Sequence, residues 1–351
     1  MPHSPALLPG IHPFGIMTKQ PVVYRIILPM RICLLFVTVA LLLGASLVAR
    51  AAGGSWSVDT NGNWSGTTNW TDGTVAAGAG NTATFNINIT ANRTTTLDSA
   101  RIIGGLIFGN SGSHIGAAQS WTIGGSSTLT LDNSGSSPTI TCWPLRSAGN
   151  SACNVSVPLD GTHGFTEQGS GTLWLNGNNS ALSGTLAISA GRVFNNHING
   201  LGSMNVSIAD GSYLSFWSGG AFAGTFTLNG IGRTIDGQTK NTLYADNGSG
   251  AQVILNGSVT FNATADLGGS TAAASFTLNG PVGGLGGVIK QTVCVLTLNG
   301  ANTYAGGTTL NAGQLNINNG GASAGAEQNE SPEPQFGSGD EWHKESENNA
   351  D

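Results

Sequence analysis

The stretch Val295 to Ile317, VLTLNGANTYAGGTTLNAGQLNI, constrains the fold of this chain more than any other. Leu296 and Leu298 alternate with Thr297 and Asn299, the pattern of a strand with one buried face. Asn299-Gly300 is a turn signal, because both residues tolerate φ > 0. Gly306-Gly307 and Ala312-Gly313 are two further breaks. Thr308-Thr309-Leu310 and Leu315-Asn316-Ile317 are again short and alternating. Three strand-sized pieces and three corners fill the stretch, and one such unit cannot bury its apolar face alone.

The unit recurs. Leu173 to Val193, LWLNGNNSALSGTLAISAGRV, has the same Leu-x-Leu-Asn-Gly, an Asn-rich turn, Gly-Thr, and Ala-Gly close before an apolar residue. Leu-Asn-Gly ends at Gly177, Gly230, Gly257, Gly280 and Gly300, and Phe-Thr-Leu-Asn-Gly occurs verbatim at Phe226 to Gly230 and Phe276 to Gly280. Taken as one point of a coil, the tripeptides recur every 20 to 27 residues or so with one double gap, which suits a β-solenoid with loops of variable length.

On these residues the chain resembles the autotransporter-associated β-strand repeat, also called the passenger-associated transport repeat, of bacterial surface and secreted passengers. The match is close at 295–317, moderate at 172–195 and fragmentary at the other Leu-Asn-Gly sites. The run Trp56 to Phe85, with Gly62-Asn63-Trp64, Asn69-Trp70 and Ala83-Thr84-Phe85, is similar to the opening of many such proteins. The resemblance implies an exported, non-enzymatic, passenger-type surface or extracellular protein whose repeat assists passenger transport and folding, with a role in adhesion. It implies the secretion machinery as a partner, along with surface polysaccharide or other cell-envelope components.

The expected fold is all-β, a right-handed parallel β-helix (β-solenoid). Gly is 54 of 351 residues, yet Leu, Ile, Val and Phe are spread throughout, so the chain is not simply disordered. Charged residues are only 9%, so Asn, Ser, Thr and backbone must solvate the surface. Residues 52–170 are expected to form a Trp-rich cap and the first coils, and 171–325 the coils that carry the repeats. Expected strands include Thr82 to Ile89, Arg101 to Phe108, Thr139 to Cys142, Asn154 to Val157 and Ser212 to Phe216.

Residues 1–51 read as a signal segment. Arg31 precedes the uncharged apolar run Ile32 to Val48, and Ala49-Arg50-Ala51 places small residues ahead of a cut before Ala52. Met30 or Met17 is a better proportioned start than Met1. A disordered acidic tail is expected over 326–351, where eight acids face Lys344 alone. Its abrupt change of composition reads as a truncated or out-of-frame gene end.

Trp56, Trp64 and Trp70 form either a carbohydrate-stacking platform or an apolar plug, and the plug is favoured because a terminal coil needs a cap against edge pairing. Trp174 and Trp217 are a second candidate platform. An export signal implies a compartment where disulfides persist, and Cys142 and Cys153 are close enough in sequence for a hairpin-closing bridge. Cys294 is then a small buried residue.

A β-helix polysaccharide lyase or hydrolase is the enzymatic alternative. Glycoside hydrolysis needs two facing carboxylates, and the acids of 52–325 are scattered singly, several at turn positions such as Asp132-Asn133, Asp160-Gly161 and Asp210-Gly211. His114, His163 and His197 share no spacing. No zinc motif or calcium nonapeptide is present, so no metal and no cofactor are expected. Seven bases across 52–325 make no nucleic-acid footprint.

Overall fold

The computed structural model describes residues 52–109, 120–145, 152–232 and 240–318, with the backbone of 234–235, 238–239 and 326–328. The expected signal segment 1–51, the tail from 329 onward, Cys33 and His114 lie outside the described residues.

The repeat unit becomes one turn of a parallel β-helix. One turn runs through Leu159–Gly161, Gly164–Gln168 and Thr172–Leu175, and the next through Ala181–Leu182, Thr185–Ile188 and Arg192–Asn195. Each strand pairs in parallel with its counterpart one turn on: Asp160 with Ala181, Phe165 with Leu186, Leu173 with Val193. Parallel strands need a long crossover, and here the other two strands of the turn supply it. The turn therefore has three walls. Arg101–Phe108 serves two of them, since Arg101 pairs with Leu129 and Gly105 with Thr139, so those walls share one 13-stranded sheet. The second wall is a 12-stranded sheet, and later turns build the third wall as a sheet of 5 strands ending at Gln314–Ile317. Pairing continues without a break across residue 170, through Gly164–Gln168 against Thr185–Ile188. The antiparallel exception among the ladders is Thr234–Ile235 with Gln238–Thr239.

Strand alternation sends every second side chain inward, and in-register pairing stacks those side chains into columns. Phe165, Leu186, Val206, Phe226, Val259 and Val282 form one such column, each at most 2% exposed. Full burial of one such side chain is worth about 1.5–3 kcal/mol. Each member is covered only by its neighbours above and below and by the facing walls, so stability accumulates turn by turn.

The Leu-Asn-Gly tripeptide is a strand ending rather than a fixed point of the coil. Leu175 closes a strand of the second wall, Leu228 one of the first, and Leu255, Leu278 and Leu298 strands of the third. The irregular spacing of the motif follows from this change of wall. In the third wall the Leu points inward, and Asn256, Asn279, Asn299 and Asn318 form a ladder in which each Nδ2 donates to the Oδ1 one turn earlier at 2.8 Å. The glycine is required by close approach: a Cβ on Gly280 would lie 2.2 Å from the Gly257 carbonyl oxygen, and one on Gly300 1.9 Å from that of Gly280.

At the N-terminal end of the described residues Trp56, Trp64 and Trp70 are at most 2% exposed. They surround Phe85 with ring centroids 5.7–6.1 Å away, and Phe85 stacks on Phe108 at 5.3 Å. Each indole N–H donates to a carbonyl, of Val58, Ala76 and Trp64 respectively. The three rings turn their faces to one another and to Phe85 in the interior. The expected strand Thr82 to Ile89 is shifted, running instead over Gly78–Phe85.

Candidate functional site

Most outward positions on the walls carry Thr, Ser or Asn. The second wall departs from this between Thr172–Leu175 and Leu243–Ala245. Register sets three outward columns there. The first is Thr172, Arg192, Tyr213; the second Asn154, Trp174, Phe194, Ser215, Tyr244; the third runs from Asn176 through Asn196 to Trp217. The sequence folds this way because Leu173, Leu175, Val193, Leu214 and Phe216 take the inward positions, which leaves the residues between them facing out.

Trp174 and Phe194 lie flat on one another, with centroids 4.4 Å apart and planes 3° off parallel. The Trp217 ring leans toward them, 6.0 Å from Trp174, and is 41% exposed. Beside the rings, Asn196 Nδ2 donates to Asn176 Oδ1 at 3.0 Å, and Asn176 Nδ2 to Ser156 Oγ at 3.1 Å. This is the third wall's ladder repeated on the second.

The charges of this face are internally matched. Arg192, buried, donates to the Thr172 hydroxyl and to Tyr213 Oη, and its guanidinium sits 5.5 Å from the Phe194 ring centroid. Lys240 Nζ pairs with Asp246 Oδ1 at 3.1 Å and lies 4.1 Å from the Tyr244 ring centroid. Burial raises the Asp246 carboxyl, against the pull of Lys240 and Arg192. Burial, reinforced by Asp246, also raises the Tyr244 hydroxyl. The neighbouring insertion is tied down by Asp266, whose carboxylate accepts from the backbone N–H groups of Gly232 and Thr242, the Thr242 hydroxyl and the Asn241 amide.

Of the residues singled out in the sequence, Trp174 and Trp217 come together on this face, joined by Phe194. Cys142 and Cys153 also come together, but in the interior. Cys142 ends a strand of the first wall and Cys153 lies in a strand of the second, so the two stand on different walls and not on paired strands of a hairpin. Both are buried free thiols, and burial, with Cys153 nearby, pushes the Cys142 thiol well above its usual range. Cys294 is likewise buried and free.

Several carboxylates hold local structure. Asp59 binds Arg93 and Thr90, which hold its carboxyl down at about 2. Asp98 binds Ser65, Asp132 the Gly135 N–H, and Asp210 the Ile231 N–H. His163 and His197 lie in separate loops, in contact with Thr162 and Asn199. Among the described residues no three His, Cys, Asp or Glu side chains are grouped to hold a metal ion.

Lys290 and Glu167, like Arg192, are ionisable groups whose burial the sequence reading did not foresee. Lys290 donates to the carbonyls of Gln291, Thr292 and Ala312 at 2.7–3.0 Å and so closes a corner between turns. Glu167 points into the core between Ile140 and Ile188 in the same column, and neither of its oxygens has a hydrogen-bond partner. Burial, then the nearby Cys153, raises its carboxyl well above the usual range. Its parity with Phe165 was the signal that could have found it.

Comparison with known proteins returns the passenger-associated transport repeat at residues 165–193 and 295–317. Among curated proteins, "Adhesin BmaC autotransporter" of Brucella suis biovar 1 (strain 1330) is 30% identical over 169 residues, which is 45% of this chain and 4% of that protein. The chain thus spans a small fraction of the curated relative it matches. No solved structure matches. The Leu-x-Leu-Asn-Gly shared by the two copies falls on different walls, at Leu173 on the second and Leu296 on the third. Both copies are built into one continuous stack of parallel coils, so the chain carries passenger-associated transport repeats within a parallel β-helix.

Proposed function

We propose that this chain works outside the cell as part of a passenger-type β-solenoid. In this reading it is a non-enzymatic surface or extracellular protein with a role in passenger transport and folding and in adhesion. The observation that carries the reading is the closure of each turn by its neighbour, through in-register apolar columns and carboxamide ladders. Such a fold can form one turn at a time as a chain emerges unfolded, with no distant contact to wait for. The transport repeats and the similarity to an autotransporter adhesin support it, and so does the engagement of Asp59, Asp98, Asp210 and Asp266 in structure. The secretion machinery and components of the cell envelope are the partners it calls for.

The test is localisation. Epitope-tagged full-length chain is expressed in a Gram-negative host, fractionated, and its N-terminus sequenced. The expected result is a product that begins near Ala52 and is found in the envelope or the medium. Folded, full-length chain confined to the cytoplasm would overturn the reading.

A further inference from the structure

Trp174, Phe194 and Trp217 lie on adjacent turns of the second wall. Phe194 is only 5% exposed and belongs to the buried core, but Trp174 is half-buried and Trp217 is 41% exposed, so these two rings are apolar surface that the core does not require. Their clustering on adjacent turns distinguishes them from apolar residues scattered singly over a surface. The polar groups beside them are neutral. Asn176 and Asn196 form the ladder, Asn154 continues the row of Trp174, and Asn154 Nδ2 donates to Thr122 Oγ1 at 3.3 Å. A ladder contact uses one N–H of a carboxamide that carries two, so donors remain beside the rings. The charged groups nearby are already matched, Lys240 with Asp246, and Arg192 with Tyr213 and Thr172.

Flat rings flanked by neutral amides suit a ligand with an apolar C–H face and a rim of hydroxyls. They suit a charged ligand poorly, because among the described residues the neighbouring charges Lys240 and Asp246 pair with one another and Arg192 is engaged by Thr172 and Tyr213. An apolar protein surface would cover the amides without bonding them, at the cost of desolvating polar groups. Turns repeat about every 4.8 Å, comparable to the advance per ring of an extended pyranose chain, so successive sugars would meet successive turns. We propose that this face binds a neutral glycan chain, its sugar rings lying against the exposed Trp217 and the accessible side of Trp174, with Phe194 backing Trp174 from beneath, and its hydroxyls bonded by Asn176 and Asn196. The inference deepens the adhesion part of the proposed function and rests on that reading.

Full-chain protein is titrated with cellohexaose and with chitohexaose, followed by tryptophan emission and calorimetry. Saturable binding of at least one is expected, weakened about tenfold or more in Trp217→Ala, a loss of about 1.4 kcal/mol. Trp217→Phe is expected to retain most of the affinity and Trp217→Leu to lose it, which separates ring stacking from mere apolarity. Trp217 is exposed, and an unchanged far-ultraviolet dichroism spectrum of each variant checks the fold. Absence of binding to both sugars overturns the proposal. So does equal binding by wild type and Trp217→Ala, or self-association of the wild type that Trp217→Ala abolishes, which would make the face a contact between copies. Localisation of Trp217→Ala separates the two readings: a variant still exported but unable to bind sugar leaves the surface reading intact, whereas sugar-binding protein that is never exported removes that reading and spares the site.

Discussion

Asn299 donates its side-chain amide to Asn279 at 2.8 Å, and the two residues occupy the same corner of successive turns. Asn279 in turn donates to Asn256. A carboxamide is well suited to this position, because it can donate to one neighbour and accept from the other.

Asn279→Ala removes two of these bonds at once. A net hydrogen bond contributes about 0.5–1.5 kcal/mol, and these are exposed, so the expected loss is about 1–2 kcal/mol in urea unfolding. Asn279→Asp keeps the acceptor and loses the donor, and should fall between. An unchanged unfolding midpoint for Asn279→Ala would show that water replaces the ladder at no cost.

Glu167 should make stability fall with rising pH. Below its ordinary value the carboxyl is protonated in folded and unfolded chains alike, and stability does not depend on pH through it. Above that value the unfolded chain releases the proton while burial keeps it in the folded chain. Stability is then expected to drop by up to about 1.4 kcal/mol per pH unit, until the folded group also ionises. Glu167→Leu, which matches Ile140 and Ile188 in its column, should be more stable than wild type at pH 8 and lose this slope. Glu167→Gln should lose the slope but keep the cost of an unpaired polar group, about 1–3 kcal/mol. Thermal melts between pH 4 and pH 8 check all three.

In an oxidising compartment Cys142 and Cys153 are expected to close into a disulfide, since both are free, buried and near one another in the interior. Mass mapping of unreduced, exported protein should yield one cross-linked peptide holding both residues, with Cys294 free. In the chain-entropy model, closing a loop this short stabilises by about 3 kcal/mol, so Cys153→Ser should cost roughly that much without reductant and far less with it. Three free thiols after oxidation would refute the bridge.

Trp64→Ala opens a cavity in the aromatic plug, where loss of a large buried ring costs about 3–5 kcal/mol. Because turns are stabilised mainly by their neighbours, the damage should stay local. Hydrogen exchange is expected to quicken over Gly78–Phe85 and to remain slow over Ser275–Leu278. Uniform loss of protection along the chain would mean that the helix unfolds as a single block.

Much of this fold was legible in the sequence. Arg101–Phe108 and Thr139–Cys142 have the bounds that alternation predicts, and Tyr213–Phe216 and Ala152–Val155 differ by one or two residues at their ends. Strand parity alone turns Trp174 and Trp217 outward. What parity cannot give is which wall a strand joins. Leu228-Asn229-Gly230 and Leu255-Asn256-Gly257 look alike locally, yet they close strands of different walls. The difference lies in the length of the intervening loops, which local pattern does not encode. For the same reason the meeting of Phe194 with Trp174 becomes visible only once the turns are in register.

The offset between the two repeat copies bears on how such chains change length. Since a turn is complete whichever corner it starts from, a duplicated or deleted stretch restores the stack from any corner, provided both its ends fall at matching corners. Gene slippage can then lengthen or shorten the protein by whole layers while every remaining layer keeps a neighbour of the same kind.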